Sequence, residues 1–158
     1  MTTPEDLAFL ADEAATKIVG RQRISHWYKV TQKQIDDFSE ATHDHQWIHR
    51  ANVKEGCSPF GGSIVHGLLL VSIALNLALE GSTLPEATWV LYGFDRLRFP
   101  APVRSGSHIR CLTTILGSRE VGGRHLLNVR LAVEMEDRNS PALIADCSLL
   151  CFKEEAVR

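Results

Sequence analysis

Residues 60–81 read FGGSIVHGLLLVSIALNLALEG, and this stretch decides the fold. From Leu68 to Leu79 only Ser72 and Asn76 interrupt an apolar run, so the predicted helix lacks the polar face of a surface helix. At roughly 1.5 Å per residue the run is about 20 Å long, too short to cross a membrane. We therefore predict a helix buried inside the protein. Ser72 and Asn76 are expected to form a buried polar pair with partners upstream.

The chain that follows this helix is predicted to form antiparallel strands. Every second residue of 127–135 is apolar, which predicts one buried face made of Leu127, Val129, Leu131, Val133 and Met135. Strands are also predicted over 88–99, 107–116 and 142–152, joined by turns at 121–123 and 137–141. Short connections between strands favour antiparallel pairing. The predicted fold class is therefore α+β, with an antiparallel sheet that wraps around the long buried central helix.

The chain that precedes the helix carries three weaker signals. An amphipathic helix is predicted over 4–16 and a short strand over 25–30. Thr31 and Gln34 have the spacing of a capping box, which predicts that a second helix begins there. Residues 43–66 lack a sustained period and contain several glycines, so they are predicted to form a long loop of the kind that often carries function.

Length and composition limit the possible functions. The 158 residues fit a single domain, 1–158, and the net charge of −2 gives no sign of nucleic-acid binding or of an anionic membrane partner. The chain has no signal-like segment and no membrane-length apolar run, so we expect a cytoplasmic protein. Its four cysteines form no CxxC pair, which favours reduced and mostly buried thiols.

An acid and an imidazole stand just before the glycine-rich turn. Asp44 and His49 could share one water molecule, with one group taking its proton while the other donates a proton elsewhere. Ser72, further along the buried helix, could hydrogen-bond to the carboxylate and orient it. Gly67 opens that helix, where free backbone N–H groups could polarise a thioester oxygen.

Two linked motifs resemble a known family. Residues 41–49, ATHDHQWIH, resemble the hydratase-2 motif, in which four residues separate an Asp from a His. Residues 60–72, FGGSIVHGLLLVS, are similar to the turn and helix that follow it in MaoC-like (R)-specific enoyl-CoA hydratases. The DHQWIH wording resembles the nodulation-protein-N-like branch, and LRF at 97–99 with PVRSG at 102–106 resembles a later family segment.

The resemblance implies a hot-dog fold, a homodimer, no cofactor, and reversible syn hydration of a trans-2-enoyl thioester to an (R)-3-hydroxyacyl thioester. It implies that Asp44 and His49 flank the catalytic water, that the Gly67 N–H binds the thioester oxygen, and that Ser72 supports Asp44. The sequence departs from the common pattern at His43, Gln46 and Trp47. Substrate contacts are expected from Gln46, Trp47, His66 and Arg98. For His66 a structural role, orienting the turn through a backbone hydrogen bond, is the alternative.

Several alternatives stay open at this stage. The thioester carrier is coenzyme A or acyl carrier protein, and phosphates of coenzyme A could meet Lys54, Arg96, Arg98 and Arg104. A metal site built from Asp44 and the neighbouring histidines is disfavoured, because adjacent positions do not converge on one ion. A hot-dog thioesterase and a non-catalytic acyl-thioester-binding module are the remaining alternatives.

Overall fold

The structure is a computed structural model that describes residues 18–53, 55–80, 87–121 and 124–153. The predicted helix over 4–16 and the turn glycines at 122–123 lie outside these residues. Helix α1 spans Gln32–Thr42. The Thr31 hydroxyl accepts from the Gln34 N–H, and the Gln34 side chain accepts from the Thr31 N–H, so the predicted capping box is confirmed. Residues 43–53 and 55–66 lie in the predicted loop, with 3-10 turns at Trp47–His49 and Glu55–Cys57.

Within the described residues, six strands form one antiparallel sheet. The sequence pattern predicted the antiparallel pairing but only five strands, and the strand predicted over 25–30 is confined to Tyr28–Lys29. The six strands are β1 (Gln22–Ile24), β2 (Tyr28–Lys29), β3 (Ala87–Arg98), β4 (His108–Val121), β5 (Arg124–Met135) and β6 (Arg138–Lys153). The order across the sheet is β1-β4-β5-β6-β3, and β2 also pairs with β4. The β5 face predicted to be buried is buried along its whole length. It packs on the central helix, and together these elements form the hot-dog arrangement expected from the sequence.

The central helix, α2, spans Gly67–Leu79, and its burial is less uniform than predicted. Leu70, Val71, Ile73, Ala74 and Leu77 are buried against the sheet. Leu68, Ser72 and Asn76 recur every four residues and form an exposed stripe, and Leu68 is 62% exposed. The predicted buried polar pair of Ser72 and Asn76 is therefore wrong. Among the described residues, no helix combines the length and apolarity needed to cross a membrane.

The last hairpin is tighter than predicted. The turn was expected over 137–141, but Met135 already pairs with Arg138, so Glu136 and Asp137 alone make the turn. Val133 pairs with Leu143, which leaves residues 139–142 bulged opposite Glu134. Pro141 lies in this bulge, where its missing N–H interrupts no regular ladder hydrogen bond.

Arg23 on β1 ties the sheet to the end of α2. Its guanidinium donates to the carbonyl oxygens of Leu77 (2.8 Å) and Ala78 (2.7 Å), which have no partner inside the helix. We expect Arg23→Met to lower the free energy of unfolding by about 1–3 kcal/mol, because charged hydrogen bonds and the favourable helix-dipole interaction are lost. Urea denaturation measures this change. Arg23→Lys keeps the charge and should lose less. An unchanged midpoint for Arg23→Met contradicts the capping role.

Candidate active site

Asp44 is positioned by the end of α1. The helix stops because His43 adopts the left-handed conformation (φ 58°), which turns the chain away from the helix axis. The Asp44 side chain, which is half-buried, then accepts a 3.4 Å hydrogen bond from the Gln46 N–H. This local turn fixes the start of the loop and holds the carboxylate beside the core.

His49 is fixed by hydrogen bonds of both its ring and its backbone carbonyl. It lies at the end of the first 3-10 turn, is 6% exposed, and its Nδ1 is 2.7 Å from the Ile64 carbonyl oxygen. A carbonyl oxygen can only accept, so Nδ1 carries the hydrogen and Nε2 of the neutral ring has a free lone pair. The His49 carbonyl accepts from Gln32 Nε2 (2.8 Å) and Ser63 Oγ (3.0 Å). The ring thus presents an acceptor in a fixed orientation.

His66, the residue immediately before α2, completes the cluster. Its ring is 3% exposed and stacks on His49, with ring centroids 3.6 Å apart and planes inclined by 21°. Nε2 lies 3.2 Å from Ser39 Oγ and 3.3 Å from the Asp44 carbonyl oxygen. Burial lowers the pKa of His66 below its ordinary value, and the hydrogen bond to Asp44 opposes this shift in part.

Asp44, His49 and His66 each offer one polar side-chain atom, and these three atoms lie within 4.8 Å of one another. A tetrahedral oxygen with hydrogen bonds of about 2.8 Å holds two partners about 4.6 Å apart, so the spacing suits one shared water. It suits a metal poorly. A metal about 2.0–2.1 Å from a nitrogen of each ring would lie far out of at least one plane, because the stacked planes are nearly parallel.

The start of α2 faces an aromatic ring. A Cβ placed on Gly67 would lie 3.0–3.3 Å from ring atoms of Phe99, so a larger residue there would have to displace that ring by a few tenths of an ångström. Ser72 does not join the site. Its exposed hydroxyl donates to the Leu68 carbonyl at 3.0 Å, a hydrogen bond within the helix, so the structure lacks the predicted contact with Asp44.

The other predicted substrate contacts are at the surface. The side chains of Gln46, Trp47 and Arg98 are exposed, and Arg98 donates to its neighbour's carbonyl at Leu97. A cavity of about 340 Å³ lies against His49 and Ser39 and is rimmed by Asp36, Glu40, His45 and Arg50. A second cavity, of about 690 Å³, contains Arg104 but neither Asp44 nor His49. Lys54 lies outside the described residues.

Sequence reasoning placed Asp44 and His49 together but missed the contact with His66, which it gave as a substrate contact or a turn-orienting residue. His66 lies 17 positions beyond His49, and only the fold brings the two rings together. The sequence signal for the burial of His66 was its position immediately before Gly67, where the helix predicted to be buried begins. The structure shows a backbone hydrogen bond of the His66 ring, to the Asp44 carbonyl oxygen, and the substrate contact stays a prediction.

Comparisons with known proteins agree with this fold. The family described as MaoC like domain matches residues 14–136. The chain is 35% identical over 148 residues to 3-hydroxyacyl-thioester dehydratase Z of Mycobacterium tuberculosis, covering 92% of this chain and 95% of that protein. It is 40% identical over 129 residues to nodulation protein N of Rhizobium leguminosarum bv. viciae, covering 77% and 78% respectively. The solved (R)-hydratase from A. caviae has the same fold, with a TM-score of 0.64, 22% identity, and coverage of 83% of this chain and 94% of that one.

Proposed function

Because the chain belongs to the MaoC-like domain family, we propose that it is an (R)-specific hydratase of trans-2-enoyl thioesters, which in reverse dehydrates 3-hydroxyacyl thioesters. One observation carries the proposal: the Asp44 carboxylate and the buried His49 ring lie within one water molecule's reach of each other. The similarity to a protein named 3-hydroxyacyl-thioester dehydratase supports the substrate class.

The chemistry follows from what each group can do. Water bound between Asp44 and His49 loses a proton to the pair as its oxygen bonds to C3 of the enoyl group. The C2–C3 π electrons move toward the thioester and give an enolate. A proton from the pair then bonds to C2, which completes the addition of water. The addition balances in the same way whichever member of the pair takes the first proton.

The negative charge of the enolate needs a partner, and the start of α2 supplies one. The first N–H groups of a helix have no partner within it, and the helix dipole favours negative charge there. Gly67 offers the first N–H group of α2, and its missing Cβ leaves room for the Phe99 ring beside it. We assign it the thioester oxygen, which develops charge only during the reaction.

Crotonyl-CoA tests the proposal directly. Addition of water removes the absorbance of the conjugated enoyl thioester and releases no thiol. A thioesterase of the same fold would release free coenzyme A, and a binding module would give neither change. We expect loss of the enoyl absorbance without free thiol, and release of thiol at the same rate would contradict the proposal. A parallel assay with crotonyl-acyl carrier protein identifies the carrier. We also propose a cytoplasmic location, which the four free cysteines support.

We further propose that the chain forms a homodimer through the outer edge of β3. This strand borders the sheet, and within the described ranges no other strand pairs with its outer edge. It exposes consecutive apolar side chains at Val90, Leu91 and Tyr92, and Tyr92 is 73% exposed. A long apolar edge attracts another strand, and a second copy related by a two-fold axis would extend the sheet.

Sedimentation should therefore give twice the 17.6 kDa of one chain. Replacing both Leu91 and Tyr92 by Lys should produce a folded monomer, because charges at the edge oppose strand pairing. Leu116→Lys is the matched control, since Leu116 is an exposed apolar residue on β4, away from this edge. A monomeric parent protein, or a dimer that survives the double substitution, contradicts this interface.

A further inference from the structure

His66 contacts both members of the reacting pair, although the proposed chemistry gives it no task. Its ring stacks on His49 with centroids 3.6 Å apart, and its Nε2 is 3.3 Å from the Asp44 carbonyl oxygen. A ring that packs on one group and hydrogen-bonds to the backbone of the other fixes their relative position. We propose that His66 is a positioning residue that holds Asp44 and His49 at the spacing of one water molecule, an inference that rests on the proposed function.

The ring does this work as a neutral imidazole. Nε2 faces the carbonyl oxygen of Asp44, which can only accept, so Nε2 carries the hydrogen. Nδ1 is buried and has no hydrogen-bond partner among the described residues, so a second proton placed there would lack an acceptor. The titratable groups that face the ring are His49 and Asp44, whose effects on the pKa of His66 oppose each other and are both smaller than the effect of burial. His66 therefore acts through its shape and one hydrogen bond.

Helix α1 holds the same ring from the other side. Ser39 is buried, and its Oγ lies 3.2 Å from Nε2 of His66. The Phe38 ring is tilted against His66 with centroids 5.0 Å apart. Among the described residues, neither Ser39 nor Phe38 hydrogen-bonds to or stacks on the side chain of Asp44 or His49, so we expect an effect of Ser39 on turnover to pass through His66. Ser39 thus supports the position of the His66 ring.

Two substitutions separate the two parts of this role. His66→Phe keeps a flat ring against His49 and removes the hydrogen bond to Asp44, whereas His66→Gln keeps a donor and removes the stacked ring. We expect each to lower kcat about tenfold, with KM within about twofold, because misplaced reacting groups slow the chemical step. The shape of the pH–rate profile should not change, because His66 carries no proton in the reaction. Loss of a pH limb in either variant overturns the proposal.

A double-mutant cycle tests the path through His66. Ser39→Ala removes one oxygen and should lower kcat about threefold in the parent protein. It should have no further effect in the His66→Phe background. Additive effects, or a kcat within twofold of the parent in all variants, overturn the proposal. Thermal unfolding identifies variants that misfold, and Ser39→Ala then carries the test alone. Turnover by the parent protein decides the proposed function, whereas variant-to-parent ratios decide the role of His66.

Discussion

Asp44→Asn should lower kcat for hydration of crotonyl-CoA by on the order of a hundredfold or more, because an amide cannot take the proton that the carboxylate accepts. The substitution keeps the side-chain shape and an oxygen for the Gln46 N–H. The fold should therefore survive, and thermal unfolding should show a transition close to that of the parent protein. Steady-state loss of enoyl absorbance measures the effect.

Asp36→Asn provides a matched control for this experiment. Asp36 is an exposed carboxylate on α1 that lines the same 340 Å³ cavity as His49 and accepts from Gln32 Nε2 at 2.9 Å. Its loss should change kcat by less than about twofold, since surface substitutions of this kind have small effects. If Asp44→Asn retains nearly the parent rate, or if Asp36→Asn loses as much, the assignment of Asp44 is wrong.

His49→Gln should have an effect of similar size on hydration. The amide offers no basic nitrogen to replace Nε2, so proton transfer between the water and the pair is lost. Some stability should be lost as well, because the ring also donates to the Ile64 carbonyl and stacks on His66. His45→Gln is the control, since His45 is an exposed imidazole on the same loop. Its hydration rate should stay near that of the parent.

The double variant adds a test of the pair. If Asp44 and His49 act on one water molecule, removing both should cost little more than removing one, because groups that act as a unit are strongly non-additive. If the rate loss of the double variant equals the product of the two single losses, each residue supports a separate step. The rates of the four proteins under identical conditions distinguish these cases.

The fold was predictable because two hydrophobic patterns dominate the sequence, the alternation in β5 and the apolar run of α2. The alternation in β5 requires a sheet with one buried face, and the apolar run of α2 requires another element packed against it. The exposed stripe on α2 contains the two polar residues of the run, Ser72 and Asn76, and the prediction buried them because polar residues one turn apart occur both on exposed faces and as hydrogen-bonded pairs in a core. Leu68 is as apolar as Leu70, although only Leu70 is buried in one chain.

The site was predictable only where its members are close in sequence. Asp44 and His49 lie on one loop, whereas the contact with His66 depends on how that loop packs against the start of α2. Ser72 was misplaced for a local reason. A helical serine can bond to the carbonyl four residues earlier, and its orientation then follows the helix rather than the site.

The contact between Phe99 and Gly67 has a consequence for dielectric screening. The phenyl ring lies 3.0–3.3 Å from the position that a Gly67 Cβ would take, so hydrocarbon borders the first turn of α2 on that side. Coulomb attraction grows as the surroundings become less polarisable, so an amide sheltered by hydrocarbon attracts an anion more strongly than the same amide in bulk solvent. Phe99, whose side chain has no polar atom, thereby strengthens the attraction between the Gly67 N–H and a negative charge.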